Sequence, residues 1–120
     1  MSFWRNTGPS LEQKAKVCER AGGCCERCGR DLEGQRYSIH HRKPRRMGGT
    51  KDPEINSLCN LMLLCGTGTT GCHGYVEDRR LEAMHLGYLL ASWEDPSGAV
   101  VHVHGRGSCY LLADGTYQEV

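Results

Sequence analysis

A small α+β fold is predicted by three features of the sequence. Helix signals stand at 10–21 and again from residue 73, and between them lie an alternating stretch at 36–40 and a continuous apolar run at 61–65. Past Gly87 the pattern changes to turn residues and short strand-like runs. The chain also places eight cysteines and 16 glycines in 120 residues that are only 38% apolar, so something besides packing is expected to hold it together. One domain spans 1–120, with a flexible lead at 1–9, a core at 10–87 and a C-terminal β extension at 88–120.

The lead is polar and ends in Gly8-Pro9. Ser10-Leu11-Glu12-Gln13 then matches a capping box, in which the serine hydroxyl accepts from the Gln13 amide and the glutamine reaches back. The helix it opens runs from about Leu11 to Ala21. Leu11, Ala15, Val17, Cys18 and Ala21 lie on or near one face, which makes Cys18 a core residue, and Gly22-Gly23 is the stop. Asp31 to Gln35 turns around Gly34, and Arg36-Tyr37-Ser38-Ile39-His40 alternates as a strand that Pro44 ends. Met47-Gly48-Gly49-Thr50-Lys51-Asp52-Pro53 is a loop, and Leu61-Met62-Leu63-Leu64-Cys65 is too short for a helix and fits a buried strand, so the two strands form a hairpin.

A second helix is expected from His73 to about Leu86, with Val76, Leu81, Ala83 and Met84 as its buried side and exposed amides at its start that favour a phosphate. Tyr88 to Trp93 reads as a short strand or extended segment, followed by a turn at Asp95-Pro96-Ser97-Gly98. Val100 to Val103 and Cys109 to Leu112 form a hairpin, and Asp114-Gly115 turns into a last strand at 116–120.

The cysteines point to a metal. Met-Ser-Phe-Trp-Arg-Asn-Thr-Gly lacks the apolar core of a signal peptide, and no run is long enough to span a membrane, so a reducing cytoplasm is expected, where close cysteines mean metal more often than disulfide. Cys25 and Cys28 form a C-x2-C followed by Gly29, the form of a zinc knuckle; the Cys24 to Cys28 spacing is an alternative, with Cys25 favoured. Cys65 and Cys72, joined by a glycine and threonine loop, return to the same ion and complete a four-thiolate tetrahedral zinc site.

A net charge of +1 argues neither for nor against nucleic acid, but its distribution does. Five basic residues and no acidic one lie between Arg42 and Lys51, directly after His40-His41. An imidazole with a pKa of about 6.5 can hold an ion or move a proton near neutrality, and Arg42, Lys43, Arg45 and Arg46 are the candidates to track a phosphate backbone beside it. His85, His102 and His104 have no such company and read as ordinary histidines.

Cys25-Glu26-Arg27-Cys28, the run from His40-His41-Arg42-Lys43-Pro44 to Gly49, Asn60-Leu61-Met62-Leu63-Leu64-Cys65 and Cys72-His73-Gly74-Tyr75-Val76-Glu77 follow one another over strand, loop, strand, knuckle and helix. This order resembles the HNH endonucleases, in particular the small zinc-containing members common in bacteriophages of actinobacteria, over residues 25–77. The resemblance implies a ββα-metal (His-Me finger) core. By position it implies that His41 is the general base, that Asn60 stabilises the loop and helps orient that base, and that His40 and His73 hold a catalytic cation, which is Mg²⁺, Mn²⁺, Ni²⁺ or Zn²⁺. Glu77, one turn after His73 on the same helical face, is the candidate third ligand. The implied activity is metal-dependent nicking or cutting of double-stranded DNA, leaving 5′-phosphate and 3′-hydroxyl ends, in a phage-encoded enzyme working beside the terminase in genome packaging. The competing classes are a zinc-stapled DNA-binding module without turnover and a restriction-like or toxin nuclease.

Overall fold

A computed structural model of the chain describes residues 8–44 and 54–120. Residues 1–7 of the expected lead and the loop at 45–53 lie outside the described residues.

The first helix, α1 (Leu11–Ala21), starts on the expected capping box: Gln13 N donates to Ser10 Oγ at 3.1 Å and Ser10 N to Gln13 Oε1 at 2.7 Å. Its expected apolar face forms only in part. Val17 is buried and Cys18 and Ala21 pack on the core, whereas Ala15 is exposed and Leu11 is 84% exposed. Polar groups complete the docking, because Gln13 and Arg20 lie four residues before and three after Val17 and so share its side of the helix. Arg20 forms a buried pair with Glu26, with contacts of 2.8 and 3.0 Å, and also donates to the carbonyls of Leu58 and Leu61. Glu26 in turn accepts from Leu63 N and the Tyr117 hydroxyl.

Strands β1 (Tyr37–His41) and β2 (Leu61–Cys65) pair antiparallel, with Tyr37 opposite Cys65 and His41 opposite Leu61. All of β2 is buried, because it is in contact with both α1 and the next helix, which is why its sequence is an unbroken apolar run. That next helix, α2 (Gly71–Asp78), begins two residues before His73, and a break at Arg79 separates it from α3 (Arg80–Leu86). The single helix expected to Leu86 is therefore two. Val76 and Ala83 are buried as expected, but Leu81 is 84% and Met84 44% exposed. Within α3, at about 100° per residue, Leu81 sits roughly 160° round from the buried Ala83, so the two cannot share a stripe.

Gly87 closes α3 with a positive φ of 88°, and a Cβ there would lie 2.1 Å from the Val100 carbonyl oxygen. The chain from 88 to 93 joins no sheet, contrary to one expectation; Tyr88 N donates to Ala83 O, and Leu90 N to Arg42 O at 2.8 Å. The expected hairpin and last strand are present as β3 (Val101–Val103), β4 (Gly107–Leu111) and β5 (Tyr117–Glu119), an antiparallel sheet in that order. Val101, Val103, Cys109 and Leu111 belong to the same buried cluster as β2, so the C-terminal sheet completes the core.

Candidate metal centres and active site

Four sulfurs converge at one end of the β1–β2 hairpin. Cys25 and Cys28 come from a tight turn closed by Cys25 N to Arg30 O and Gly29 N to Cys25 O, both 2.8 Å; Cys65 ends β2 and Cys72 lies in the first turn of α2. The four Sγ atoms lie within 4.8 Å of one another, and Cys28 and Cys65 Sγ are 3.8 Å apart. Zinc–sulfur bonds of about 2.3 Å in a tetrahedron require a sulfur separation of about 3.8 Å. No disulfide competes, since these cysteines are free. Arg27 Nη1 donates to Cys72 Sγ at 3.3 Å while its guanidinium lies 3.8 Å over the Tyr75 ring, and Cys72 N donates to Cys65 Sγ. The Cys25 thiol is pulled down to about 4, chiefly by the hydrogen bond from Cys72, whose own thiol the same contact pushes up. Soft donors, spacing and donors to the sulfurs all fit zinc. Cys24 is outside the cluster and bonds Gly22 O instead.

A second cluster joins β1 to α2. His40, His73 and Glu77 each place a ligand atom within 4.8 Å of the others, with the two imidazole rings 5.2 Å apart, edge to face. His40 is buried and its Nε2 donates to Tyr88 O at 2.7 Å, which leaves the lone pair of the neutral ring on Nδ1. His73 Nδ1 is buried with no hydrogen-bond partner among the described residues, and His73 Nε2 lies 3.8 Å from Glu77 Oε1. Burial lowers the pKa of both rings, that of His40 to about 4, so both are neutral near pH 7. Two neutral imidazoles, one with an orphaned buried nitrogen, and a carboxylate are a donor set that fits a divalent cation.

His41 points the other way. It shares a strand face with Tyr37 and Ile39, and these three line an open depression of about 590 Å³ with Pro9 and Lys14. Its Nε2 donates to Asn56 Oδ1 at 2.7 Å. Asn60, fully buried, accepts from Lys43 N at 2.7 Å and donates to the carbonyls of Lys43 and Ile55, so its side chain ties together the two ends of the loop between the strands.

Residues 25–78, which contain both clusters and His41, match the family model of the HNH endonuclease. That stretch, a little under half of the chain, is similar to the HNH endonuclease family. No curated protein and no solved structure matches the chain significantly.

Within this HNH domain the basic run needs correction. Arg42 has no exposed surface, and it cannot meet a phosphate: its guanidinium donates to the carbonyls of Gly87, Cys59, Pro96 and Ala99 at 2.9 to 3.1 Å. Lys43 is half-buried at the loop mouth, and Arg45 and Arg46 lie outside the described residues. Two residues that touch these histidines, one of them beyond 25–78, carry no sign of it in the sequence. Asn56, rather than Asn60, touches His41, and Tyr88 O fixes the tautomer of His40. Neither carried a signal, since one is an asparagine in a loop and the other acts through its backbone.

Proposed function

We propose that this HNH protein is a metal-dependent endonuclease that hydrolyses DNA phosphodiester bonds. The observation that carries the reading is the pairing, at neighbouring positions of one strand end, of a three-donor cluster at His40 with a histidine at 41 anchored by an asparagine. His41 takes the proton from the attacking water, whose oxygen bonds to phosphorus as the bond to the leaving oxygen breaks. His40, His73 and Glu77 would hold a divalent cation, Mg²⁺, Mn²⁺, Ni²⁺ or Zn²⁺, whose charge favours the negative charge that builds on the phosphoryl and leaving oxygens. Asn60 keeps the loop mouth closed at Lys43, and Lys43, Arg45 and Arg46 hold the backbone of duplex DNA through its phosphates. Cys25, Cys28, Cys65 and Cys72 hold a zinc ion that takes no part in the chemistry.

The likeness of the motif order to small zinc-containing phage enzymes supports a phage origin, a place in the host cytoplasm and work beside the terminase. No helix among the described residues is long and apolar enough to cross a membrane.

The test is nicking of supercoiled plasmid with each of the four cations, by wild type and His41→Ala. Wild type is expected to nick, and His41→Ala to lose at least about 100-fold in rate, the lower end of what a general base contributes. DNA binding without nicking under any cation would leave a zinc-stapled binding module instead.

A further inference from the structure

We infer that Asn56 is a positioning residue for the base and that helix α1 acts on the base through it; this rests on the reading of His41 as the proton acceptor. An amide oxygen only accepts, so the contact of 2.7 Å between Asn56 Oδ1 and His41 Nε2 puts the ring hydrogen on Nε2 and the lone pair of the neutral ring on Nδ1. Asn56 is itself held from α1, because its backbone carbonyl accepts from Gln13 Nε2 at 2.8 Å. The same glutamine uses Oε1 to accept from Ser10 N in the capping box, so one side-chain amide both caps α1 and fixes the residue that fixes the base. The opposite side of this turn is tied down by Asn60, whose Nδ2 donates to the carbonyl of Ile55 at 2.8 Å. Asn60 therefore acts on the loop, and the ring contact itself belongs to Asn56.

Helix capping alone does not require this arrangement. A capping box needs the glutamine oxygen, and any residue with an acceptor at position 13 would supply it. The amide hydrogen of Gln13 instead spans 43 residues of sequence to reach Asn56.

The experiment measures kcat and KM for plasmid nicking by wild type, His41→Ala, Asn56→Ala, Asn56→Asp and Gln13→Glu, together with melting temperatures and the imidazole ¹⁵N shifts of His41 in its neutral form. Asn56→Ala is expected to lower kcat about ten- to 100-fold, part of the worth of a general base, with KM changed less than about twofold. Asn56→Asp keeps an acceptor and restores most of the rate. Gln13→Glu keeps the capping oxygen and adds a carboxylate that suits a helix start, so the melting temperature holds or rises, yet it turns an acceptor toward the Asn56 carbonyl and lowers kcat. The ¹⁵N shifts show the Nε2–H tautomer in wild type and a mixture in Asn56→Ala. The inference is overturned if Asn56→Ala nicks within about twofold of wild type, or if the neutral His41 of wild type carries its hydrogen on Nδ1. A wild type that does not nick, or a His41→Ala that nicks equally well, overturns the base reading and the inference with it; a His41-dependent wild type with an unaffected Asn56→Ala overturns the inference alone.

Discussion

The guanidinium of Arg42 is a buried cation whose partners are four backbone carbonyls, contributed by residues 17 to 57 positions away. A planar fork of donors fits that arrangement, and the compact ammonium of a lysine does not. Burial lowers its pKa to about 10, so it stays charged at neutral pH. Arg42→Lys is expected to cost about 2–4 kcal/mol of stability, read by chemical denaturation, because carbonyls are left unpaired. The salt dependence of DNA binding should stay as in wild type, whereas Lys43→Ala lowers its log–log slope by about one phosphate contact. A changed slope in Arg42→Lys without lost stability would return that residue to the DNA. His40 gives a pH prediction. Its folded pKa of about 4 lies below the unfolded value, so the unfolded chain takes up the proton first as pH falls. The stability from the neutral buried ring is complete above about pH 6.5 and is lost progressively toward pH 4, on the order of 3 kcal/mol. Without added divalent cation, wild type should therefore lose more stability over that window than His40→Asn; equal slopes would contradict a buried neutral His40.

At the scale of elements, the two cysteine pairs, the β1–β2 hairpin, the start of α1 and the C-terminal sheet were legible because each rests on local chemistry: fixed cysteine spacing, alternation, a capping box, turn glycines. What was not legible depended on distant backbone. Arg42 reads like its basic neighbours until four carbonyls enclose it, and nothing local to α1 marks the buried pair of Arg20 with Glu26. The loop between β2 and α2 shows how tightly local geometry ties the four-cysteine cluster to the fold. Gly66 has a φ of 86°, and a Cβ there would lie 2.1 Å from Thr70 O, which accepts from Gly74 N at the start of α2. Gly66→Ala must move Cys65 or Cys72, at a cost of about 1–3 kcal/mol for the backbone strain alone. The expected readouts are a lower melting temperature and faster loss of zinc to a chelator; if both match wild type, the loop does not set the sulfur geometry.

The molecule as a whole carries two candidate metal sites on shared elements. The four sulfurs lie where the knuckle, β2 and α2 meet, so a metal bound there would be part of folding. The His40, His73 and Glu77 cluster draws on the same α2, one residue beyond Cys72, so a zinc held by the four sulfurs would fix the helix that carries the second set of donors. The most direct test is metal content and calorimetric titration of the zinc-loaded protein with Mn²⁺ or Ni²⁺, for wild type and His73→Ala, with nicking measured on the same samples. The account predicts one retained zinc in both proteins and a second ion bound by wild type. In His73→Ala that second ion binds at least about tenfold more weakly and nicking is lost. Loss of the zinc in His73→Ala, or a second ion bound there as tightly as in wild type, would contradict it.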